Sequence, residues 1–285
     1  MLLGVAVLTG PPRRASLALL ALAVTAAPWL SVKYVPVAAV LAGLGALRWW
    51  RAGRRRDAVA FGAALAVTGV VYLAVHRAVW GGLTVYAAGD HFERAGQFSV
   101  VGVDPNYLGR SVRLVGLLVD REFGIAAWQP AWLLLCCAVA FLVGRRPPGW
   151  AVLVSPLLTG WLVATFVALT MHGFWWPGRQ LVVVLPLALL AILSWLSRCA
   201  PVVRGTALLL GLTGVATYVA LLVDGYAGRI TWVSGFWEVR AATYQLLRPL
   251  LPDYREDFLL GHLAWLGVVA VLAVLGWRAG RVRGR

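Results

Sequence analysis

Charge is scarce in this sequence and unevenly distributed. Only 13% of its 285 residues are Asp, Glu, Lys or Arg, and lysine occurs once, at Lys33, against 25 arginines. A soluble domain carries about 25% charged residues. With 61% of the side chains hydrophobic and a mean hydropathy of +0.81, the chain cannot be hidden in one water-soluble core. Bilayer hydrocarbon is the solvent that fits. The near-absence of lysine reads as the codon bias of a GC-rich bacterial genome. Cysteine is almost missing too: Cys136 and Cys137 adjoin inside an apolar run and Cys199 stands in a basic loop, which excludes a disulfide framework and zinc spacing. GxSxG, Walker, HExxH and CxxC signatures are absent, as is a GxGxxG opening a helix. No repeat of 20–50 residues is present. No charged residue falls in the middle of an apolar run, which argues against an ion-coupled pump and weakens a transporter or flippase reading.

What is present is a succession of apolar runs. A helix crossing roughly 30 Å of hydrocarbon needs about 20 apolar residues. Eight runs qualify, at about 16–32, 35–50, 58–76, 126–143, 150–170, 180–197, 205–223 and 260–277. The sequence therefore predicts an all-α integral membrane protein, one polytopic domain over 1–285 with about eight spans. The opening MLLGVAVLTG is too short to span, and no basic residue precedes it as in a signal peptide. Fifteen arginines lie in short connections or tails on alternate sides of these runs, in RWWRAGRRRD, GRRPPG and RAGRVRGR among others. The positive-inside rule places Arg13, Arg14, residues 48–57, 144–149, 198–204 and the C-terminus in the cytoplasm, and with them the N-terminus. A net charge of +15 spread this way fits anionic lipid rather than nucleic acid. Of the eleven acids, Asp57 alone lies on that side. All four histidines sit near the opposite ends of the runs, so any acid–base chemistry faces outward.

Two long outer segments, about 77–127 and 224–259, interrupt the tight turns. In the first, Asp104 suits an N-cap and Pro105 the first helical position. Leu108, Val112, Val115 and Val119 then recur at helical spacing with Arg110 and Arg113 off the stripe, which predicts an interfacial helix. In the second, Trp232, Phe236, Trp237, Tyr226 and Tyr244 accompany charged residues, and a short interfacial helix is expected from about Ser234 to Leu247, ended by Arg248-Pro249.

Three constellations carry candidate chemistry. In MHGFWWPGRQLVVVLPL, Pro177 and Gly178 precede an expected helix start with Arg179 in its first turn. Unpaired N–H groups there, together with a guanidinium, would grip phosphate. Trp175 and Trp176 would stack on a sugar or pack on a lipid tail, and His172 stands at the preceding helix end. The same residues also fit an aromatic belt with one snorkelling arginine. Asp120-Arg121-Glu122 offers a general base or a divalent-ion ligand at the membrane surface, and also suits a solvated loop. Asp90, His91 and Glu93 place three proton carriers within four residues, as an active-site rim. No metal signature and no evident cofactor is encoded, although a divalent cation is compatible with the acids.

Three stretches give the sequence a likeness. APWLSVKYVPVA (27–38), LLVDREFGIAAWQPAWLLL (117–135) and GFWWPGRQLVVVLPLALLA (173–191) resemble the C-terminal part of bacterial GT-C type membrane glycosyltransferases, relatives of protein mannosyltransferases and aminoarabinose transferases. The resemblance spans about residues 15–200. It implies a sugar carried on polyprenyl phosphate and transfer on the extracytoplasmic face of a bacterial cell membrane. Arg179 matches the arginine of the family's PGR segment and Asp120 the acid before the span. The family's key acid in the first outer loop has no counterpart in Ser31-Val32-Lys33-Tyr34. The resemblance thus implies a catalytic N-terminal part lying elsewhere, on missing sequence or on a second chain. The alternative is a non-catalytic membrane subunit or scaffold of a cell-envelope assembly.

Overall fold

A computed structural model describes residues 1–84, 105–173, 175–230, 238–256 and 258–281. Among these residues every regular element is helical. The order is α1 (Leu2–Thr9), α2 (Arg14–Leu30), α3 (Val35–Arg51), α4 (Arg55–Trp80), α5 (Tyr107–Arg110), α6 (Arg113–Val119), α7 (Ile125–Trp128), α8 (Leu134–Arg145), α9 (Trp150–Leu162), α10 (Leu185–Leu196), α11 (Pro201–Tyr226), α12 (Ala242–Leu247) and α13 (Leu259–Arg281). Short 3₁₀ turns lead into α3 and α8 and follow α12, and a π turn at Val163–Val167 extends α9.

The chain is a helical membrane protein, but the expected eight spans are not met. Five helical stretches are long and apolar enough to cross a membrane: Val32–Arg51, Arg55–Trp80, Trp150–Val167, Pro201–Tyr226 and Leu259–Ala279. The other three runs form shorter helices, Arg14–Leu30, Pro130–Arg145 and Leu185–Leu196. Proline explains much of the shortening. Pro130 opens a 3₁₀ turn, and the stretch from Pro177 to Val184 winds as successive turns, so α10 starts only at Leu185. On α4, α11 and α13 the exposed large side chains are mostly Val and Leu, among them Val67, Leu208 and Leu260. Such apolar patches would aggregate in water and match lipid.

The chain divides into two compact units: residues 1–107, 151–169 and 183–187, and residues 108–150, 170–182 and 188–285. In the first unit α1 packs on α2 and α3. Leu20, Val37, Leu41 and Trp49 are fully buried, and a Cβ on Gly45 would fall 2.5 Å from Leu20. The last carbonyls of α1 lack intrahelical partners. Arg48 supplies them, donating to the carbonyls of Val7 at 2.9 Å, Leu8 and Gly10, while Arg54 donates to that of Pro12. Asp57 pairs with Arg54 at 3.0 Å and Arg14 at 3.4 Å. Arg48 thus completes a helix end, and Arg54 holds the turn after it, as well as carrying charge.

In the second unit α8 and α13 touch backbone to backbone. A Cβ on Gly276 would lie 2.2 Å from the Cys137 carbonyl oxygen and one on Gly144 2.3 Å from the Trp277 ring. Cys137 Sγ donates to the Leu272 carbonyl at 3.1 Å. Both expected interfacial helices are revised. The first breaks at Ser111–Val112 into α5 and α6 and begins at Tyr107, not Pro105. Its apolar stripe meets no single environment: Leu108 is 86% exposed, whereas Val119 is fully buried in protein, as is Arg110 for the most part. Of the second, Ser234 to Trp237 lie outside the described residues. Its described helix is Ala242–Leu247, and a 3₁₀ turn, Arg248–Leu250, carries the winding through Pro249.

Candidate functional site

The second unit builds a polar cluster where α6 ends. The chain leaves α6 at Asp120, whose Oδ1 accepts from the N–H groups of Glu122 at 3.0 Å and Phe123 at 2.6 Å. This side-chain turn mimics a backbone turn and is closed by Gly124 N–H donating to the Asp120 carbonyl at 2.9 Å. Gly124 is required by proximity: a Cβ there would sit 2.3 Å from Asp120 N. The other carboxylate oxygen, Oδ2, accepts from Tyr254 N–H at 3.2 Å and from His172 Nε2 at 3.1 Å. Asp120 is 1% exposed, and four donors neutralise what burial would otherwise make costly.

Three successive contacts lace 120–123 to 251–255. Arg121 N–H donates to the Pro252 carbonyl at 2.9 Å. Its guanidinium donates to the Leu251 carbonyl and lies 3.6 Å from Asp253. Glu122 pairs with Arg255 at 3.0 Å, and that guanidinium lies over the Phe123 ring. Tyr244 donates to the Arg121 carbonyl at 3.1 Å and stacks on Trp128. Tyr254 reaches His262 Nδ1 at 2.7 Å. Burial pushes the Tyr244 and Tyr254 hydroxyls well above the ordinary tyrosine range.

Burial also raises the Glu122 carboxyl, with Arg255 opposing it and Asp253 and Asp120 adding to it. A raised folded-state pKa means that the native state holds this proton more tightly than the unfolded chain does. The contribution is full below the ordinary glutamate pKa of about 4.3 and is lost as pH rises through the raised value. Glu122→Gln is therefore expected to match the wild type in thermal stability at pH 4, and to gain on it as pH rises to 7. A Tm difference independent of pH would refute this.

His172 is held from three sides. Its N–H donates to Thr170 Oγ1 at 3.1 Å, Thr170 Oγ1 donates back to its carbonyl at 2.8 Å, and the Phe123 ring meets the imidazole edge-on. A carboxylate only accepts, so Nε2 carries the proton toward Asp120, and in the neutral ring Nδ1 is the nitrogen with the lone pair. Nδ1 makes no hydrogen bond among the described residues, and a fifth of the side chain is exposed. A carboxylate-oriented imidazole with one free nitrogen can take a proton from a hydroxyl.

The sequence candidates divide accordingly. Asp120, Glu122 and His172 come together. Trp175, Trp176 and Arg179 stand in the same unit, in the turns that follow His172. Arg179 is exposed, lies over the Trp175 ring at 5.3 Å, and forms no ion pair among the described residues. Its expected place in the first turn of a helix is corrected: α10 begins six residues later, and Gly178, at φ +77°, closes a turn instead. Trp176 lines a cleft of about 530 Å³ with Tyr218, Leu222, Tyr226 and Ile230. Asp90 and His91 lie outside the described residues, as do Glu93 and Asp104. Sequence reasoning missed Tyr244, Tyr254 and Arg255, which no local pattern distinguishes. Among the described residues no three His, Cys, Asp or Glu side chains gather as a metal site. No family model, curated protein or solved structure matches the chain.

Proposed function

We propose that this chain is a glycosyltransferase-like protein of a bacterial cell membrane, acting at the extracytoplasmic face on a sugar carried by polyprenyl phosphate. The observation that carries this reading is the Asp120–His172 pair, which leaves an oriented imidazole nitrogen at the ends of membrane helices. In the reaction it supports, His172 Nδ1 takes the proton of an acceptor hydroxyl while that oxygen bonds to the sugar C1. The bond from C1 to the phosphate oxygen breaks, and its electron pair leaves on polyprenyl phosphate. Arg179, over the Trp175 ring and without an ion pair among the described residues, supports a phosphate contact, and the apolar cleft at Trp176 supports room for the lipid chain.

A saturable complex between the detergent-purified protein and a polyprenyl-phosphate sugar tests this. Arg179→Ala is expected to weaken binding about tenfold, the loss of one charge-assisted bond. His172→Ala is expected to keep binding and abolish transfer. Binding indifferent to Arg179, with transfer indifferent to His172, sinks the reading. A second reading, a non-catalytic subunit that binds the same lipid-linked sugar, is favoured by the four donors on Asp120, which leave that carboxylate no capacity as a base. It expects the Arg179 effect with no transfer in the wild type.

The proposed orientation puts both termini in the cytoplasm, which requires one or all three of the shorter apolar helices to cross together with the five long ones. In a background without the native cysteines, a cysteine at Glu238 should react with an impermeant thiol reagent in intact cells, and one at Arg55 should not. The reverse labelling would invert the face.

A further inference from the structure

The first unit carries an apolar cleft that the lipid-linked sugar site does not use. It encloses about 410 Å³ among α2, α3 and α4, and Trp29, Thr25, Ala38, Thr68, Gly69 and Tyr72 line it. The lining of α4 follows a helical stripe, so one face of a span forms a wall of the cleft. The hydroxyls of Thr25 and Thr68 bond each other at 3.2 Å, and that of Thr68 also reaches the Leu65 carbonyl at 3.0 Å. These hydroxyls are consumed within the wall, which leaves the surface toward the cleft apolar. At Gly69 an added Cβ would meet nothing within 4 Å, so the emptiness lies along the middle of α4.

Charge marks one end. Leu73 lines the cleft, and Arg77 follows it one turn later on the same face of α4, its guanidinium donating to the Gly81 carbonyl at 3.0 Å. Val32 and Val35 line the cleft at the start of α3, and Lys33, between them in sequence, lies over the Tyr34 ring at 5.5 Å. At the same level Trp29 meets Tyr72 edge-on at 5.1 Å and Tyr72 lies 3.9 Å from His76, an aromatic group of the kind that sits at headgroup depth. An apolar slot between membrane helices with two cations at its headgroup end matches an anionic amphiphile: chain in the slot, phosphate at the cations.

We propose that this cleft is a binding site for one anionic phospholipid, its acyl chain between α2, α3 and α4 and its phosphate against Lys33 and Arg77. The site is tested by native mass spectrometry of the delipidated full chain, titrated with phosphatidylglycerol or phosphatidylcholine. One phosphatidylglycerol is expected to bind saturably and in preference to phosphatidylcholine. Gly69→Leu fills the slot and is expected to weaken that binding about tenfold with thermal stability retained, whereas Gly69→Ala leaves it intact. Lys33→Gln and Arg77→Gln are each expected to cut the preference for the anionic lipid about fivefold. Equal binding of the two lipids by the wild type overturns the proposal. So does full phosphatidylglycerol binding by Gly69→Leu. Lipid binding that disappears when the chain dimerises also overturns it, since a second copy would then cover the cleft.

Discussion

Asp120→Ala is expected to destabilise the second unit by about 3–5 kcal/mol, the range for stripping one partner from a buried charged network. The carboxylate is 1% exposed and serves four donors. Two of them, the Glu122 and Phe123 amides, hold the turn that starts α7. The Tyr254 amide ties the 251–255 segment to that turn, and the His172 ring anchors the 170–182 stretch. Alanine leaves all four without an acceptor, and water has little access. Thermal unfolding in detergent, followed by tryptophan fluorescence, should show the loss. Asp120→Asn separates packing from chemistry. Its amide keeps the volume and one acceptor oxygen, but its NH₂ must face either the turn amides or Tyr254 and His172. Turned toward His172, it would donate to Nε2 and move the ring proton to Nδ1, which removes the lone pair from the exposed side. Asn should therefore be less destabilising than Ala and equally inactive in any transfer that depends on His172. A fully stable, fully active Asn variant would show that the pair has no role.

Gly276→Ala carries the second large effect. The added methyl would sit 2.2 Å from the Cys137 carbonyl oxygen and 2.4 Å from its Cα, and backbone cannot rotate out of the way as a side chain can. The helices must separate, which costs the Cys137–Leu272 bond and the surrounding contacts. A loss of about 3 kcal/mol is expected, the upper part of the range for overpacking. Small residues at such crossings are what allow membrane helices to approach closely. Gly267→Ala is the control on the same helix: nothing lies within 4 Å of its added Cβ, so Tm should stay or rise slightly through helix propensity. Equal Tm values for the two variants would disprove the backbone contact.

Much of the helical outline was legible in the sequence because apolar run length and composition act locally. Each of the eight runs holds a helix. Membrane length was less legible, since Pro130 and the Pro177–Val184 turns remove helical residues that hydropathy alone counts as span. The interfacial stripe of Leu108 to Val119 failed for a different reason. The helix breaks at Ser111–Val112 and tertiary packing buries Arg110 and Val119 while Leu108 stays exposed, and periodicity cannot register that. For the site, Asp120, Glu122 and His172 were visible as polar residues beside apolar runs. Their partners were not, because Tyr254 meets Asp120 across 134 positions and Tyr244 meets Arg121 across 123. Arg48 was seen only as a cytoplasmic charge. Binding carbonyls and obeying the positive-inside rule call for the same side chain, so composition alone could not separate the two roles.

The crossing of α8 with α13 also bears on how the molecule is made. Cys137 finds the Leu272 carbonyl 135 positions later. A chain leaving the ribosome at about 5–20 residues per second therefore presents α8 to the bilayer for several seconds before its neighbour exists. During that interval the groove beside Gly144 and Cys137 is lined with lipid or held by the insertion machinery. The second unit closes only on the arrival of α13, so its assembly is gated by translation rather than by the pairing of adjacent hairpins.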